Sequence, residues 1–405
     1  MKIGNNAHLT YCMNIHPGEH WPDVTAARAR YATAVQNAVD AHVPFGIGLR
    51  LSALAARELV NTPGQLAIFR DQLSAANQYV FTINGFPYGP FHGTRVKESV
   101  YEPDWSHPER TKYTCQLAEC LAAWQPPDRE GSISTVPGGY RTTSSTPCVV
   151  EAMVVQLMET VCYLAELADR SGYLIHIGLE PEPGCLLETT ADTCRFFEEQ
   201  LLRNGAPMVQ RRTGWSRSQA EERIRQHLGV CLDTCHAALQ FEDPAEALIR
   251  YQQAGIRLSK VQISAALESD NGPGSQSALA PFVEPVYLHQ VRLQDTSGTI
   301  HALPDLPQGL DQLPALPVEV PVRVHFHVPL FWEGAPPLRS TSHTLTSGFW
   351  QQLRSSNTRH LEIETYTFDV LPPPLRTASV TDHIVAEYRW VLERMTRDSN
   401  DSTEE

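Results

Sequence analysis

The order of apolar and polar positions along the chain predicts strands that alternate with helices. Short apolar or β-branched runs are followed by polar residues and then by segments with helical spacing, and this sequence of elements repeats. The alternation is typical of βα units around a parallel sheet. The predicted strands are 9–16, 45–51, 79–84, 131–137, 173–180, 230–233, 258–264, 322–330 and 360–365. We therefore expect an α/β fold, a (β/α)8 TIM barrel with long loop insertions.

Nine predicted strands compete for the eight places of such a barrel. We expect the segment 322–330, VRVHFHVPL, to lie outside it as part of a cover. Two regions interrupt the rhythm, at about 89–130 and 268–321, and the second predicts a hairpin around 295–298 over the barrel mouth. Loops this long are usually functional covers or insertions. The interpretation is one barrel domain over 1–395 and a disordered tail over 396–405.

Composition and charge exclude several classes of protein. The chain has 405 residues, 42% of them hydrophobic, enough for one large barrel or two domains. Its formal net charge of -14 repels phosphate backbones, so no nucleic-acid role is expected. No apolar run suits a secretion signal or a membrane span, and the nine cysteines lack CxxC spacing. We expect a soluble, cytoplasmic protein without membrane insertion, with free and mostly buried thiols.

Acidic and imidazole side chains recur where predicted strands end, which is where the active sites of TIM barrels lie. These candidates are Glu180 and Glu182, Asp233 and His236, Gln262, His325 and His327, and Glu362 and Glu364. Alternate residues of a strand share one side, so one member of each strand pair could face the barrel interior. Converging buried carboxylates repel each other, and a divalent ion resolves the repulsion. Oxygen and imidazole ligands suit manganese, zinc, iron or magnesium.

Structural roles for the same residues stay open at this point. A strand-end glutamate can be a hydrogen-bond acceptor or half of an ion pair, and Asp233 can be the cap of a helix. Recurrence on three strands favours the metal site. Candidate substrate-binding residues are His16, Asn84, Glu182 and Arg141. Lys260 shares the side of Gln262, deeper in the barrel, and a surface or ion-paired lysine is favoured over a Schiff-base role.

Several motifs, taken in order, resemble a known family. They are LTYCMNIHPGEHWPD, GLEPEPG, VCLDTCHAA, KVQISAAL, YLHQV, HFHVPLF and LEIETYTFDVLP. Together they resemble the family called metabolite traffic protein EboE, found in ebo gene clusters, over about residues 8 to 393. That family is similar to the xylose isomerase-like, sugar phosphate isomerase/epimerase superfamily of TIM barrels.

The resemblance implies one divalent metal. In the superfamily the ligands lie on the fifth, sixth, seventh and eighth strands, and the matching residues here are Glu180, Asp233, His236 and Glu364, with Glu362 less favoured. The seventh-strand histidine is replaced by Gln262. Either the Gln262 amide oxygen binds the ion, or a histidine from the inserted region or the segment after it takes over. The candidates for that role are His289, His325 and His327.

The resemblance also implies a small polyhydroxy metabolite, a sugar or cyclitol, in a secondary-metabolite pathway. The leading hypothesis is a metal-dependent isomerase or epimerase in which Glu180 and Glu364 are the catalytic residues that exchange a proton. Two alternatives stay open. One is a metal-dependent hydrolase of a small phosphate ester, and the other is a non-catalytic metabolite-binding protein, which the Gln262 replacement favours.

Overall fold

The structure, a computed structural model, describes residues 1–125, 129–376 and 378–396. All of the predicted tail except Thr396 lies outside the described residues. The strands, numbered in chain order, are β1 (His8–Tyr11), β2 (Phe45–Arg50), β3 (Gln78–Asn84), β4 (Gly131–Thr135), β5 (Ile175–Leu179), β6 (Leu228–Asp233), β7 (Arg257–Ile263), β8 (Ala266–Asp270), β9 (Val291–Gln294), β10 (Ile300–Leu303), β11 (Pro321–His327), β12 (Gly334–Ala335), β13 (Leu338–Ser340) and β14 (His360–Ile363).

Eight parallel strands form a nearly closed barrel. Their order is β1-β14-β7-β6-β5-β4-β3-β2, and a parallel bridge between Cys12 and Gly48 brings β1 next to β2. Neighbours around the barrel therefore follow chain order, with β14 as the eighth barrel strand. The expected α/β fold, a TIM barrel, is confirmed.

Helices surround the barrel. They are Trp21–Ala27, Arg28–Ala32, Thr33–Asp40, Ala53–Asn61, Gln65–Ala75, Pro108–Trp124, Arg141–Ser144, Pro147–Ser171, Thr190–Arg195, Phe196–Gly205, Ala206–Thr213, Arg217–His227, Thr234–Leu239, Pro244–Gln253, Ser275–Leu279, Leu306–Gln312, Ser347–Ser355 and Val380–Thr396. Pro108–Trp124 lies inside the region 89–130 that we expected to be an insertion. It begins with proline at its first position, where no intrahelical N–H is needed, and it packs on β3 as a barrel helix.

One described helix, Pro147–Ser171, is long and apolar enough to cross a membrane by length and composition. Half of its most apolar window is buried inside the protein, and it packs against Pro108–Trp124. Core helices of barrels pass the same test, so the helix is weak evidence for a membrane span.

The barrel interior is polar and arranged in layers. At the bottom, the rings of Phe81 and His176 both pack against the imidazole of His360. In the middle, Lys260 Nζ lies 2.5 Å from Glu362 Oε2, and neither side chain is exposed. Gly48 faces this pair, because a Cβ at that position would overlap Glu362 Oε1. Lys260 is thus ion-paired, as favoured above.

A second, antiparallel sheet separates β7 from β14. Its order is β10-β9-β11-β8-β13-β12. The predicted hairpin is present, since β9 and β10 pair on either side of the turn at 295–298. The predicted strand 322–330 corresponds to β11, which lies outside the barrel as expected. The added sheet extends from Ala266 to Ser340, further along the chain than the predicted end at 321, because β13 pairs with β8.

Breaking the buried ion pair at Lys260 should destabilise the barrel. Lys260→Met leaves the Glu362 carboxylate buried without its cation, which typically costs about 3–5 kcal/mol. The double variant Lys260→Met/Glu362→Gln removes both charges and should recover most of that loss. Urea unfolding of the three proteins measures the difference, and a single variant as stable as the wild type would contradict the assigned role of the pair.

A second prediction concerns Glu387 on the C-terminal helix. Its carboxylate is buried and accepts hydrogen bonds from Thr365 Oγ1 at 2.6 Å and Leu330 N at 3.1 Å. Burial raises the pKa of Glu387 from 4.5 to about 7. The folded protein therefore holds this proton more tightly than the unfolded chain, and the associated stability is lost as the pH rises from 4.5 to 7.

Glu387→Gln cannot ionise and should not show this loss. Between pH 4.5 and pH 8 the unfolding free energy of the variant should rise relative to that of the wild type by about 3 kcal/mol, at 1.36 kcal/mol per pKa unit. Parallel urea titrations at both pH values measure this difference. An equal difference between the two proteins at both pH values would show that Glu387 does not titrate in this range.

Candidate metal centre

Three carboxylates from three barrel strands meet at the carboxyl ends of the sheet. Glu180 follows β5, Asp233 ends β6 and Glu364 follows β14. One oxygen from each lies within 4.8 Å of the others, and all three residues are buried. The alternation of the strands explains this meeting, since Glu364 continues the inward side of Glu362 while Ile363 packs in the apolar core.

Two of the three carboxylates, those of Asp233 and Glu364, are held by specific donors. Asp233 Oδ1 accepts from Ser264 Oγ at 2.7 Å and from the N–H groups of Cys235 at 2.7 Å and His236 at 3.1 Å, so Asp233 does cap the helix Thr234–Leu239. Capping occupies only one of its two oxygens. The helix-cap role and the proposed ligand role are therefore compatible.

Two amides orient Glu364. Its Oε1 accepts from Asn14 Nδ2 at 2.7 Å and from Asn84 Nδ2 at 3.1 Å. Asn84 ends β3 and lies in the cavity, as the sequence predicts. These two hydrogen bonds fix one oxygen of Glu364. They also connect the ends of β1 and β3 with the end of β14.

His327 reaches the carboxylates from outside the barrel. It ends β11 in the added sheet, and its Nδ1 donates to the Glu364 carbonyl oxygen at 2.8 Å. The acceptor carries no hydrogen, so the proton sits on Nδ1 and Nε2 presents a lone pair. His327 belongs to a group with Asp233 and His236 whose ligand atoms lie within 4.8 Å of one another.

A second imidazole, that of His325, lies against His236. The Nε2 atoms of His236 and His325 lie 3.1 Å apart, with their rings perpendicular. Glu182 completes a set with them, and its Oε1 is 3.6 Å from His325 Nδ1. Glu182 also accepts from the Tyr101 hydroxyl at 2.7 Å.

Burial and mutual repulsion shift the titration of the carboxylates. Burial and the nearby Asp233 raise the pKa of Glu180 well above its ordinary value, and burial and Glu180 do the same for Glu364. Although burial acts to raise it, the pKa of Asp233 is lowered by the imidazoles of His236 and His327. Without a cation, the centre holds protons that a metal would replace.

Two predicted ligands do not serve the centre. The amide oxygen of Gln262 accepts a hydrogen bond from Cys231 Sγ at 2.8 Å, within the barrel. His289 uses both ring nitrogens, bonding the His325 carbonyl oxygen at 2.7 Å and Glu284 at 2.8 Å. Of the four residues that could replace the seventh-strand histidine, His327 is the one with a free nitrogen beside Asp233.

Two predicted substrate-binding residues also lie elsewhere. His16 bonds the Tyr11 hydroxyl at 3.0 Å and stacks on Tyr31, so its ring faces the core. Arg141 is half exposed and pairs with Glu188 at 3.3 Å and Asp192 at 3.4 Å. His16 is thus enclosed by the core, and Arg141, the first residue of the helix Arg141–Ser144, is held near the surface by its acidic partners.

The centre opens into a cavity at the carboxyl ends of the barrel strands. Its inner wall contains Glu180, Glu182 and Glu364, and its outer wall is largely aromatic. The outer wall contains Phe86, Phe91, Tyr287 and Tyr366. A mostly apolar lining with a few polar groups is typical of small-molecule sites.

Sequence reasoning missed Tyr101 and Gln290. Both lie in the regions that interrupt the strand rhythm, and both orient the site, because Gln290 Nε2 donates to the Tyr101 hydroxyl at 3.0 Å. Tyr101 belongs to none of the motifs named above, and its location in an expected cover is the one signal that could have pointed to it. Gln290 lies in the motif YLHQV, but the motif does not mark the glutamine as a residue of the site.

Comparisons with known proteins agree on the architecture. No family model matches the chain, and no curated protein matches it. A xylose isomerase-like TIM barrel protein from Mycobacterium smegmatis, solved in complex with magnesium, aligns with TM-score 0.52 and 10% identity over 98% of this chain and 99% of that one. The chain has a xylose isomerase-like fold.

Two other solved structures resemble this barrel less closely. IOLI protein with a binding zinc atom has TM-score 0.47 and 10% identity, covering 96% of this chain and 98% of its own. The probable 3-DHS dehydratase AsbF from Bacillus anthracis, involved in petrobactin synthesis, has TM-score 0.46 and 13% identity. The alignment covers 95% of this chain and 98% of that one. At such identity the similarity describes the fold alone.

The residues of this xylose isomerase-like barrel fit a divalent cation. Among the described residues, no hydrogen-bond partner reaches Glu180 Oε2, Asp233 Oδ2 or His327 Nε2. Buried polar atoms without partners are costly, and a cation would satisfy all three. The donor set of carboxylates and imidazole suits manganese, zinc or iron, and magnesium to a lesser degree.

Two single substitutions, one at His327 and one at His289, test the assignment of His327 as a ligand. His327→Gln should lower the affinity for Mn²⁺ or Zn²⁺ at least tenfold, because it removes the free Nε2 beside Asp233. His289→Gln is the matched control and should keep the affinity of the wild type, since neither nitrogen of His289 is free. Isothermal titration of the chelator-treated proteins measures both, and equal affinities in both variants would contradict the assignment.

Proposed function

We propose that the protein is a metal-dependent isomerase or epimerase of a sugar- or cyclitol-type substrate. The observation that carries the proposal is the meeting of Glu180, Asp233 and Glu364, whose oxygens lie within 4.8 Å at the base of a small-molecule cavity. Glu180, Asp233, Glu364 and His327 would hold the ion, with His236 close by. When bound, the ion supplies positive charge that acidifies a C–H bond beside a substrate carbonyl.

The chain's own carboxylates move the proton. Glu180 and Glu364 would act both as ligands of the ion and as the proton carriers, and they follow two different barrel strands, β5 and β14. One carboxylate removes the proton from the substrate carbon and the other returns a proton to it or to the next carbon. Asn14 and Asn84 keep Glu364 in position through Oε1.

The cavity favours a neutral polyhydroxy compound over a phosphate ester. Its lining, within the described residues, contains no arginine, and Lys97 is engaged by Asp305 at 2.6 Å. A phosphate would meet Glu180, Glu182 and Glu364 without a free cationic side chain. Hydroxyl groups can instead bond the polar inner wall, while sugar C–H faces pack on the aromatic outer wall.

The resemblance to the EboE family supports a role in a secondary-metabolite (ebo) pathway, which is part of the proposal. We further propose that the protein works in the cytoplasm. All nine cysteines are free, six of them buried, although Cys148 is exposed. Unpaired thiols in that number are typical of a reducing compartment.

Solvent exchange tests the proposal. Protein loaded with Mn²⁺ and incubated in D2O with a panel of aldoses, ketoses and inosose-type cyclitols should introduce deuterium at one substrate carbon, measured by mass spectrometry. Glu180→Gln and Glu364→Gln should each lower the exchange rate at least about 100-fold, because each removes a proton carrier. Glu246→Gln, the same change on an exposed helix position, is the control and should exchange at the wild-type rate.

The other two functions predict different results. A metabolite-binding protein would bind a member of the panel without exchange. A hydrolase would release phosphate from the corresponding phosphate esters. Either result, obtained with metal-loaded protein, would contradict the isomerase proposal.

A further inference from the structure

We propose that Glu182, His236 and His325 form a second divalent-cation site beside the first, one that prefers a zinc-like ion to magnesium. The three ligand atoms lie within 4.8 Å of one another, and all three residues are buried. The set shares no residue with Glu180, Asp233 and Glu364, while His236 also has a ligand atom within 4.8 Å of Asp233 and His327, so the two sites adjoin. The inference goes beyond the proposed function, because it concerns the number of ions and not the reaction.

The hydrogen bonds around the two histidines fix their tautomers. His236 Nδ1 lies 3.0 Å from the carbonyl oxygen of Pro181, so Nδ1 must carry the proton. His325 Nδ1 lies 2.6 Å from Gln290 Oε1. The Gln290 amide cannot be reversed, since its Nε2 donates to the Pro183 carbonyl oxygen at 2.9 Å. His325 Nδ1 therefore also carries its proton.

Both neutral rings consequently present a lone pair at Nε2, and these two atoms face each other at 3.1 Å. Two lone pairs at that distance repel, and only a shared proton or a cation between them makes the arrangement favourable. For a metal at the usual 2.0–2.1 Å from each nitrogen, a separation of 3.1 Å corresponds to an angle of roughly 100°. That angle is close to those of neighbouring ligands in octahedral and tetrahedral sites.

Glu182 supplies the third ligand, and its surroundings resemble the outer contacts of known metal sites. The Tyr101 hydroxyl donates to Glu182 Oε1 at 2.7 Å and accepts from Gln290 Nε2 at 3.0 Å. The same glutamine orients His325 through Nδ1. Imidazole ligands that donate their second N–H to a carbonyl or amide oxygen are the rule in metal sites. Two imidazoles and one carboxylate favour zinc or cobalt over magnesium.

Charge also favours a second cation. Glu180, Glu182, Asp233 and Glu364 bring four buried carboxylates together, whereas the buried cation below them, Lys260, is already neutralised by Glu362. One divalent ion offsets two of the four charges, and two ions offset all of them.

Counting ions with Co²⁺ tests the second site. The full-length protein is stripped with a chelator, loaded with Co²⁺, desalted and analysed by plasma mass spectrometry, while visible absorption follows each addition. The wild type should hold two Co²⁺ ions per chain. His325→Gln and Glu182→Gln should each lose one ion and keep the other. His301→Gln, a half-exposed histidine of the added sheet, should keep both.

Each other result has a definite meaning. One ion in the wild type and in His325→Gln would mean that only a proton lies between the imidazoles, which overturns the second site but leaves the proposed function standing. Two ions in the wild type and also in His325→Gln would overturn the assignment of His325 as a ligand. No ion in the wild type would overturn the second site and the proposed function together. Near-UV circular dichroism shows whether each variant is folded. If His325→Gln is misfolded, the number of ions bound by Glu182→Gln tests the second site in its place.

Discussion

The convergence of buried carboxylates at the mouth of the barrel is the constraint on which the rest of the structure depends. Glu180, Asp233 and Glu364 cannot all be ionised at close range in a dry environment unless positive charge is near. The polypeptide meets this constraint in part with donors, such as Ser264 and the two asparagine amides. The oxygens and the nitrogen that remain without partners in the described part of the chain are the atoms that a cation would satisfy.

The added sheet supplies what the barrel strands lack. The seventh barrel strand carries Gln262 at the position where the resemblance implied a histidine, and Gln262 bonds Cys231. The strand β11 brings His325 and His327 over the mouth instead, and its Val322, Val324 and Phe326 pack in the apolar core. Strand alternation thus lets one segment serve as a cover on one side and as a ligand source on the other.

The layers below the centre contribute rigidity. The Lys260–Glu362 pair fills the middle of the barrel, and Gly48 leaves the space for it. Above it, hydrogen bonds through Gln290 and Tyr101 fix the orientation of His325 and Glu182. Positions held in this way cost little reorganisation when a ligand binds, which is the usual requirement of a metal centre and of proton transfer.

The sequence by itself determined the barrel, its strands and the presence of acidic strand ends, because these follow from local periodicity and from the common edge of parallel strands. It also placed β11 outside the barrel and offered His327 among four possible ligands. Only the tertiary structure shows their surroundings: within the described residues His327 keeps an unpartnered ring nitrogen, whereas other residues engage His16, Arg141, Gln262 and His289. The reason is physical: whether an imidazole or a guanidinium is free depends on partners far away in the chain, such as Glu284 for His289 and Glu188 for Arg141.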